Sequence, residues 1–348
     1  MTSFGPTLSV LDLVPVRSDQ TSGDAIASSL ALARVADDLG YHRYWVAEHH
    51  NMPAVASTNP PVLIGLLAGV TRRIRVGSGG VMLPNHAPLV VAEQFALLEA
   101  AFPGRIDLGL GRAPGTDPVT SFALRHGAGG VSEDAASRFP EYVDNILAML
   151  EPGGVGLGVN GRTHPLRATP AASSVPAVWL LGSSDYSARL AAEKGLPYVF
   201  AHHFSGQGTA EALALYRSRF VPSPELAQPR TFLTVNASVA ETTEEAQALA
   251  LPQLLMMLAL RTGSPLTAQL SVEQAQAVDV PEAHRGLLQG MVSRWVVGDA
   301  GTATGQLHDL AATYGVDEVM LNPVSGAHDG TEATAAPARE ETLRLLAK

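Results

Sequence analysis

Short apolar runs alternate with amphipathic stretches along most of the chain, a pattern that predicts strands separated by helices. The strand candidates are "LSVLDLV" (8–14), "RYWVAE" (43–48), "IRVGSGGVML" (74–83), "RIDLGL" (105–110), "AVWLLG" (177–182), "PYVFA" (197–201), "FLTVNASV" (232–239) and "DEVMLN" (317–322). Between them, "AIASSLALARVADDLG" sets Ile26, Leu30, Ala33 and Leu39 on one face and stops at Gly40. "LVVAEQFALLEAAFPG" stops in the same way at Gly104, and "SDYSARLAAEKG" opens on serines and ends at Gly195. In "TTEEAQALA", Thr242 and Glu245 have capping-box spacing.

Eight strands, each followed by a helix, is the count of a closed (β/α)8 barrel, the TIM-barrel form of the α/β class. The rival, a doubly wound open sheet, would carry a glycine-rich dinucleotide turn after its first strand, and "VPVRSDQTSGD" is no such turn. The expectation is one barrel domain over residues 1–348 with insertions after strands 4 and 7. Segments 112–134, 151–174 and about 252–297 exceed ordinary connections and read as binding loops or a lid. One helix, "PPVLIGLLAGVT" (60–71), is apolar nearly all round, so its second face needs a partner. A homodimer meets that need.

Composition narrows the class. The 348 residues carry a net charge of −10, which argues against nucleic-acid and anionic-membrane partners. No apolar run reaches membrane-spanning length and no basic-then-apolar leader opens the chain, so a cytoplasmic protein is expected. With no cysteine there is neither a disulfide nor a thiolate site.

The chemistry should gather at the C-terminal ends of the barrel strands. The second strand runs straight into Glu48, His49 and His50, either a rim network or a group for proton transfer. Adjacent side chains at an extended strand end point opposite ways, and no metal-binding spacing occurs, so no metal is expected. Beyond "AVWLLG", Ser183, Ser184 and Ser187 lie around a helix start, where free amides suit an anion; the plain alternative is a helix cap. Asp185 would oppose an anion unless it points away. Arg112, one residue past the fourth strand, reads either as a phosphate ligand or as half of a surface ion pair. Gly79 and Gly80 admit a flat ring or mark a bulge.

These residues resemble the bacterial luciferase-like flavin monooxygenases, in particular their single-chain, non-luminous branch. The segments that carry the resemblance are "AEHHN", "VGSGGVMLPNHAPL" and "GRIDLGLGRAPGTDP", and it extends over about residues 8–325. It implies a barrel that holds FMN at its strand ends, the reduced flavin coming from a separate reductase, with O2 and a small, partly apolar substrate. It also implies that Arg112 grips the flavin phosphate with Ser183, Ser184, Ser187 and the Tyr186 backbone. A non-proline cis peptide would join Gly79 to Gly80 beneath the ring, and His49 would serve acid–base work with Glu48 and His50 around it. Gly111 stands where the luminous enzyme has a reactive cysteine. Alternatives are a deazaflavin-dependent dehydrogenase of the same superfamily and a flavin-binding protein without turnover. A phosphate-binding aldolase or isomerase ranks last, because Lys194 is the sole lysine before Lys348 and lies on a helix.

Overall fold

All eight expected strands form, and they close on themselves. The computed structural model describes residues 5–113, 117–125 and 136–347. Its strands are β1 (Thr7–Asp12), β2 (Arg43–Val46), β3 (Arg75–Ser78), β4 (Val81–Met82), β5 (Ile106–Gly111), β6 (Val155–Val159), β7 (Arg162–Leu166), β8 (Ala177–Gly182), β9 (Tyr198–Phe200), β10 (Thr231–Ala240), β11 (Val296–Asp299) and β12 (Glu318–Pro323). The parallel order β1-β2-β3-β5-β8-β9 continues through a β9–β10 pairing to β12, which pairs with β1. This is the (β/α)8 barrel. Among the described residues no helix is long and apolar enough to cross a membrane.

Three details depart from the pattern reading. Segment 151–174 contains the antiparallel β6–β7 hairpin, whose side chains are mostly exposed. The run 252–297 begins inside the helix Thr243–Thr262 and leads to β11, which extends the sheet beside β10. Its middle is tied down: Gln269 N–H donates to Val16 O at 2.8 Å, and Ser18 N–H donates to Gln269 O at 2.8 Å. The helix Ser22–Leu39 buries Ala25, Ser28, Ser29, Leu32, Ala33, Ala36 and Asp37, while Ile26, Leu30 and Leu39 only flank the core. Small residues lie nearest the sheet because a barrel and its helix ring pack backbone close to backbone.

Strand side chains alternate inward and outward, and this sets what fills the barrel. One inward layer is charged: Arg43, Asp107 and Glu318 are buried and ion-paired. Above it lies an apolar layer of Leu11, Trp45, Trp179, Val199, Phe232 and Met320. The next inward positions toward the C-terminal mouth are Ala47, Gly79, Gly111, Leu181, Thr234 and Asn322. Continuing the β2 alternation past Ala47 sends His49 into the mouth and Glu48 outward.

The helix Pro60–Val70 buries Leu63, Ile64, Leu67 and Ala68 but leaves Val62 61% and Leu66 45% exposed. The neighbouring helix Pro88–Ala101 adds Val90 and Leu97 to the exposed apolar residues.

Candidate active site

Glu48 sits just beyond β2, and its carboxylate is buried. Oε1 lies 2.7 Å from His50 Nε2 and 2.6 Å from His86 Nε2, while Oε2 accepts from the Met82 N–H at 2.9 Å. Burial alone would raise this carboxyl, but the hydrogen bonds from His50, His86 and Met82 outweigh it and hold Glu48 at about 2. An ionised carboxylate only accepts, so both rings donate. The trio ties the end of β2 to β4 and to the loop beyond it. His86, in "LPNHAPL", is the member that the pattern reading missed, because it occupies a loop where no periodicity marks it. The ligand atoms of the three residues lie within 4.8 Å of one another, close enough for an ion. Each ring already gives its proton to Oε1, so an entering ion would displace both hydrogen bonds.

His49 parts from its neighbours. Its backbone N–H donates to Ser57 O at 2.9 Å, while Nδ1 is buried with no hydrogen-bond partner among the described residues. Burial lowers its affinity for a proton, only partly offset by Glu48. Across the mouth, His203 bonds Thr234 Oγ1 through Nδ1. Its carbonyl accepts from Asn236 Nδ2 at 3.0 Å, and Asn236 Oδ1 accepts from Asn322 Nδ2 at 2.8 Å. The β10 positions Thr234 and Asn236 were also missed, although strand alternation alone marks both as inward.

His203 is held at about 3, first by burial and then by His49 and His202. His202 is held at about 4 by burial and then by Arg294. Both rings are neutral in the native protein near neutral pH, whereas in an unfolded chain each takes a proton below about pH 6.5. The unfolded state therefore binds more protons, and stability falls as pH drops from about 6.5 toward 4. The expected slope is up to about 1.4 kcal/mol per pH unit for each ring. Urea midpoints at pH 7 and pH 5 measure it, and His203→Gln is expected to flatten the slope. An unchanged slope in that variant would mean that His203 is not the buried neutral group.

The second cluster lies where β5 and β8 end. Arg112 is half-buried, and its Cζ sits 3.9 Å from the centroid of the Tyr186 ring. Among the described residues it makes no ion pair or hydrogen bond, so the surface salt bridge is absent. The helix Asp185–Lys194 begins beside it with Ser184 at the N-cap, and Ser184 makes no side-chain cap bond. Ser183 and Ser184 are exposed, and Ser187 is 3% exposed with no hydrogen-bond partner among the described residues. Ser187 Oγ faces Gly182, where an added Cβ would come within 2.5 Å of it. Asp185, in the first turn, is ion-paired along the helix with Arg189 at 2.9 Å. A helix start and a guanidinium stacked on a ring of its first turn, neither with a side-chain partner among the described residues except Asp185 with Arg189, together suit a phosphate.

The Gly79–Gly80 peptide is cis. A Cβ on Gly79 would approach Leu11 Cδ1 to 2.7 Å, and one on Gly80 would approach Leu181 Cδ1 to 2.3 Å and Gly109 O to 2.8 Å. Packing against the barrel thus accounts for both glycines without a ligand. Gly111 has ordinary room, with Leu181 at 3.5 Å.

The parallel barrel thus sets imidazoles near its mouth and a guanidinium beside a helix start at neighbouring strand ends. The sequence profile described as luciferase-like monooxygenase matches residues 7–318. The chain belongs to this family, and it is an enzyme of the monooxygenase class. It is 44% identical over 321 residues to the uncharacterized protein YvbT of Bacillus subtilis (strain 168), covering 92% of each chain. It is 40% identical over 322 residues to a luciferase-like monooxygenase of Escherichia coli (strain K12), with the same coverage. An N-acetyl-S-alkylcysteine monooxygenase of Bacillus subtilis (strain 168) is 33% identical, with 92% and 93% covered. Among solved structures, apo-MsnO8 aligns with a TM-score of 0.84 at 33% identity, over 99% of this chain and 97% of that one. The barrel also aligns with two more distant enzymes. One is the oxygenating constituent of 3,6-diketocamphane monooxygenase from Pseudomonas putida in complex with FMN (TM-score 0.69, 18% identity, 98% and 97% covered). The other is an F420-dependent secondary alcohol dehydrogenase (TM-score 0.68, 14% identity, 99% of each).

Proposed function

We propose that this chain is an FMN-dependent monooxygenase that uses reduced flavin and dioxygen on a small, partly apolar organic substrate. The observation that carries the reading is Arg112, a half-buried guanidinium that among the described residues has no anionic partner, beside a helix start whose hydroxyls have no partner among them either. Arg112, Ser183, Ser184, Ser187 and the first-turn amides of the helix, that of Tyr186 included, hold the phosphate. Gly79, Gly80 and Gly111 line the strand ends that support the ring. When bound, reduced flavin supplies the electrons that activate dioxygen. His49, neutral and without a partner at Nδ1 among the described residues, moves the proton, with His203 close by. Glu48 and His50, assigned to acid–base work from the sequence, hold the rim with His86. The reduced flavin comes from a separate reductase. The segment from 252 to 297, tied at Gln269, covers the mouth. The face bearing Val62, Leu66, Val90 and Leu97 seats a second copy, which sedimentation at micromolar concentration would reveal as a dimer.

The thioether named for the Bacillus subtilis relative gives the first probe. With NADH, a flavin reductase, FMN, an N-acetyl-S-alkylcysteine or a small cyclic ketone, and 18O2, one labelled oxygen is expected in the product and the other in water. His49→Ala is expected to bind FMN normally and turn over at least tenfold more slowly, as loss of a proton-transfer group does. Oxygen consumption with no label in any product would sink the monooxygenase reading. The alternatives, a deazaflavin-dependent dehydrogenase and a flavin-binding protein without turnover, share the barrel; the F420-dependent neighbour favours the former.

A further inference from the structure

We infer that Tyr186 is a positioning residue for the phosphate ligand, its ring serving as the platform that aims Arg112; this rests on the proposed flavin phosphate site. An arginine side chain has several rotatable bonds and loses considerable freedom when it is held in one place. Arg112 follows β5 directly and begins a connection to the helix Pro118–Arg125. No carboxylate or carbonyl among the described residues fixes its guanidinium. What fixes it is the Tyr186 ring, with Cζ 3.9 Å from the centroid, well inside the range for a cation–π contact. Tyr186 is half-buried and packed against the hydrophobic core, so the platform is itself held. It stands in the first turn of the helix Asp185–Lys194, which places the guanidinium beside that helix start.

A π face attracts a cation but does not neutralise it. The ring can therefore hold Arg112 in place while leaving its N–H groups to a ligand, which a carboxylate partner could not do. Ser187, buried on the same turn, has no hydrogen-bond partner among the described residues. Only the face of the ring is used, so phenylalanine should serve and leucine should not.

The test is a set of flavin-fluorescence titrations with oxidised FMN and with riboflavin, which lacks the phosphate. Four variants, Tyr186→Phe, Tyr186→Leu, Arg112→Ala and the Arg112→Ala/Tyr186→Leu double variant, are compared with the wild-type protein. Tyr186→Leu is expected to weaken FMN binding about tenfold, in keeping with a partly desolvated cation–π contact, and to leave riboflavin binding unchanged. Tyr186→Phe is expected to match the wild type, and Tyr186→Leu should have no further effect once Arg112 is gone. Equal losses for FMN and riboflavin, or an undiminished loss in the Arg112→Ala background, would overturn the platform role. So would wild-type FMN affinity in Tyr186→Leu while Arg112→Ala binds weakly. If Arg112→Ala itself binds FMN normally, the phosphate site fails, and the platform fails with it.

Discussion

Replacing Arg43 by methionine is expected to cost about 3–5 kcal/mol of stability, the usual penalty for stranding one side of a buried ion pair. Its guanidinium is 1% exposed inside the barrel. Nη1 donates to Asp107 Oδ2 at 2.7 Å, while Nε and Nη2 donate to the two oxygens of Glu318 at 2.6 and 3.1 Å. The planar fork also faces the Trp179 ring at 4.8 Å and the Phe232 ring at 5.3 Å. Without it, Asp107 keeps Arg75 and the Trp45 indole N–H, but Glu318 is left with Ser9 alone. Arg43→Lys should fall between the two, since one ammonium cannot span both carboxylates in the same geometry. Urea denaturation at pH 7 measures the effect. A loss below about 1 kcal/mol would mean that the barrel interior supplies Glu318 with another donor and that the ion pair is not what holds this layer.

Arg112→Ala is expected to weaken FMN binding by about 2–3 kcal/mol, roughly 30- to 150-fold, the range for losing a charge-assisted and frequently bidentate phosphate contact. Folding stability should barely change, because Arg112 has no hydrogen bond or ion pair to lose among the described residues. Affinity for riboflavin should be unchanged as well. This combination separates a ligand-holding residue from a structural one, and an equal loss for both flavins would place Arg112 against the ring instead.

The barrel was legible because each of its eight strands is a short apolar run bounded by helical periodicity, a signal that local sequence carries. The β6–β7 hairpin was not, since "VGLGV" and "RTHPL" are rich in glycine, proline and polar residues and lie on the surface. β11, "VVGD", is too short to stand out after the long insertion that precedes it. The buried face of the first helix was misplaced because alanines and serines, which hydropathy weighs lightly, make the close contacts with the sheet. In the site, His49, Arg112 and the serines stand out as candidates because they fall at strand ends. That Glu48 turns outward follows from strand alternation, but its bond to His86 depends on how the loop after β4 folds back. The Arg112–Tyr186 contact joins the ends of two barrel strands that are neighbours only in the sheet, and nothing in either segment announces it.

The most direct test of the account is an anaerobic titration of the wild-type protein with reduced FMN, run beside the same titration with a reduced deazaflavin. The expected result is that reduced FMN saturates one site per chain and binds more tightly than the deazaflavin. Binding of the deazaflavin with none of FMN would contradict the monooxygenase assignment and point to hydride transfer without oxygen.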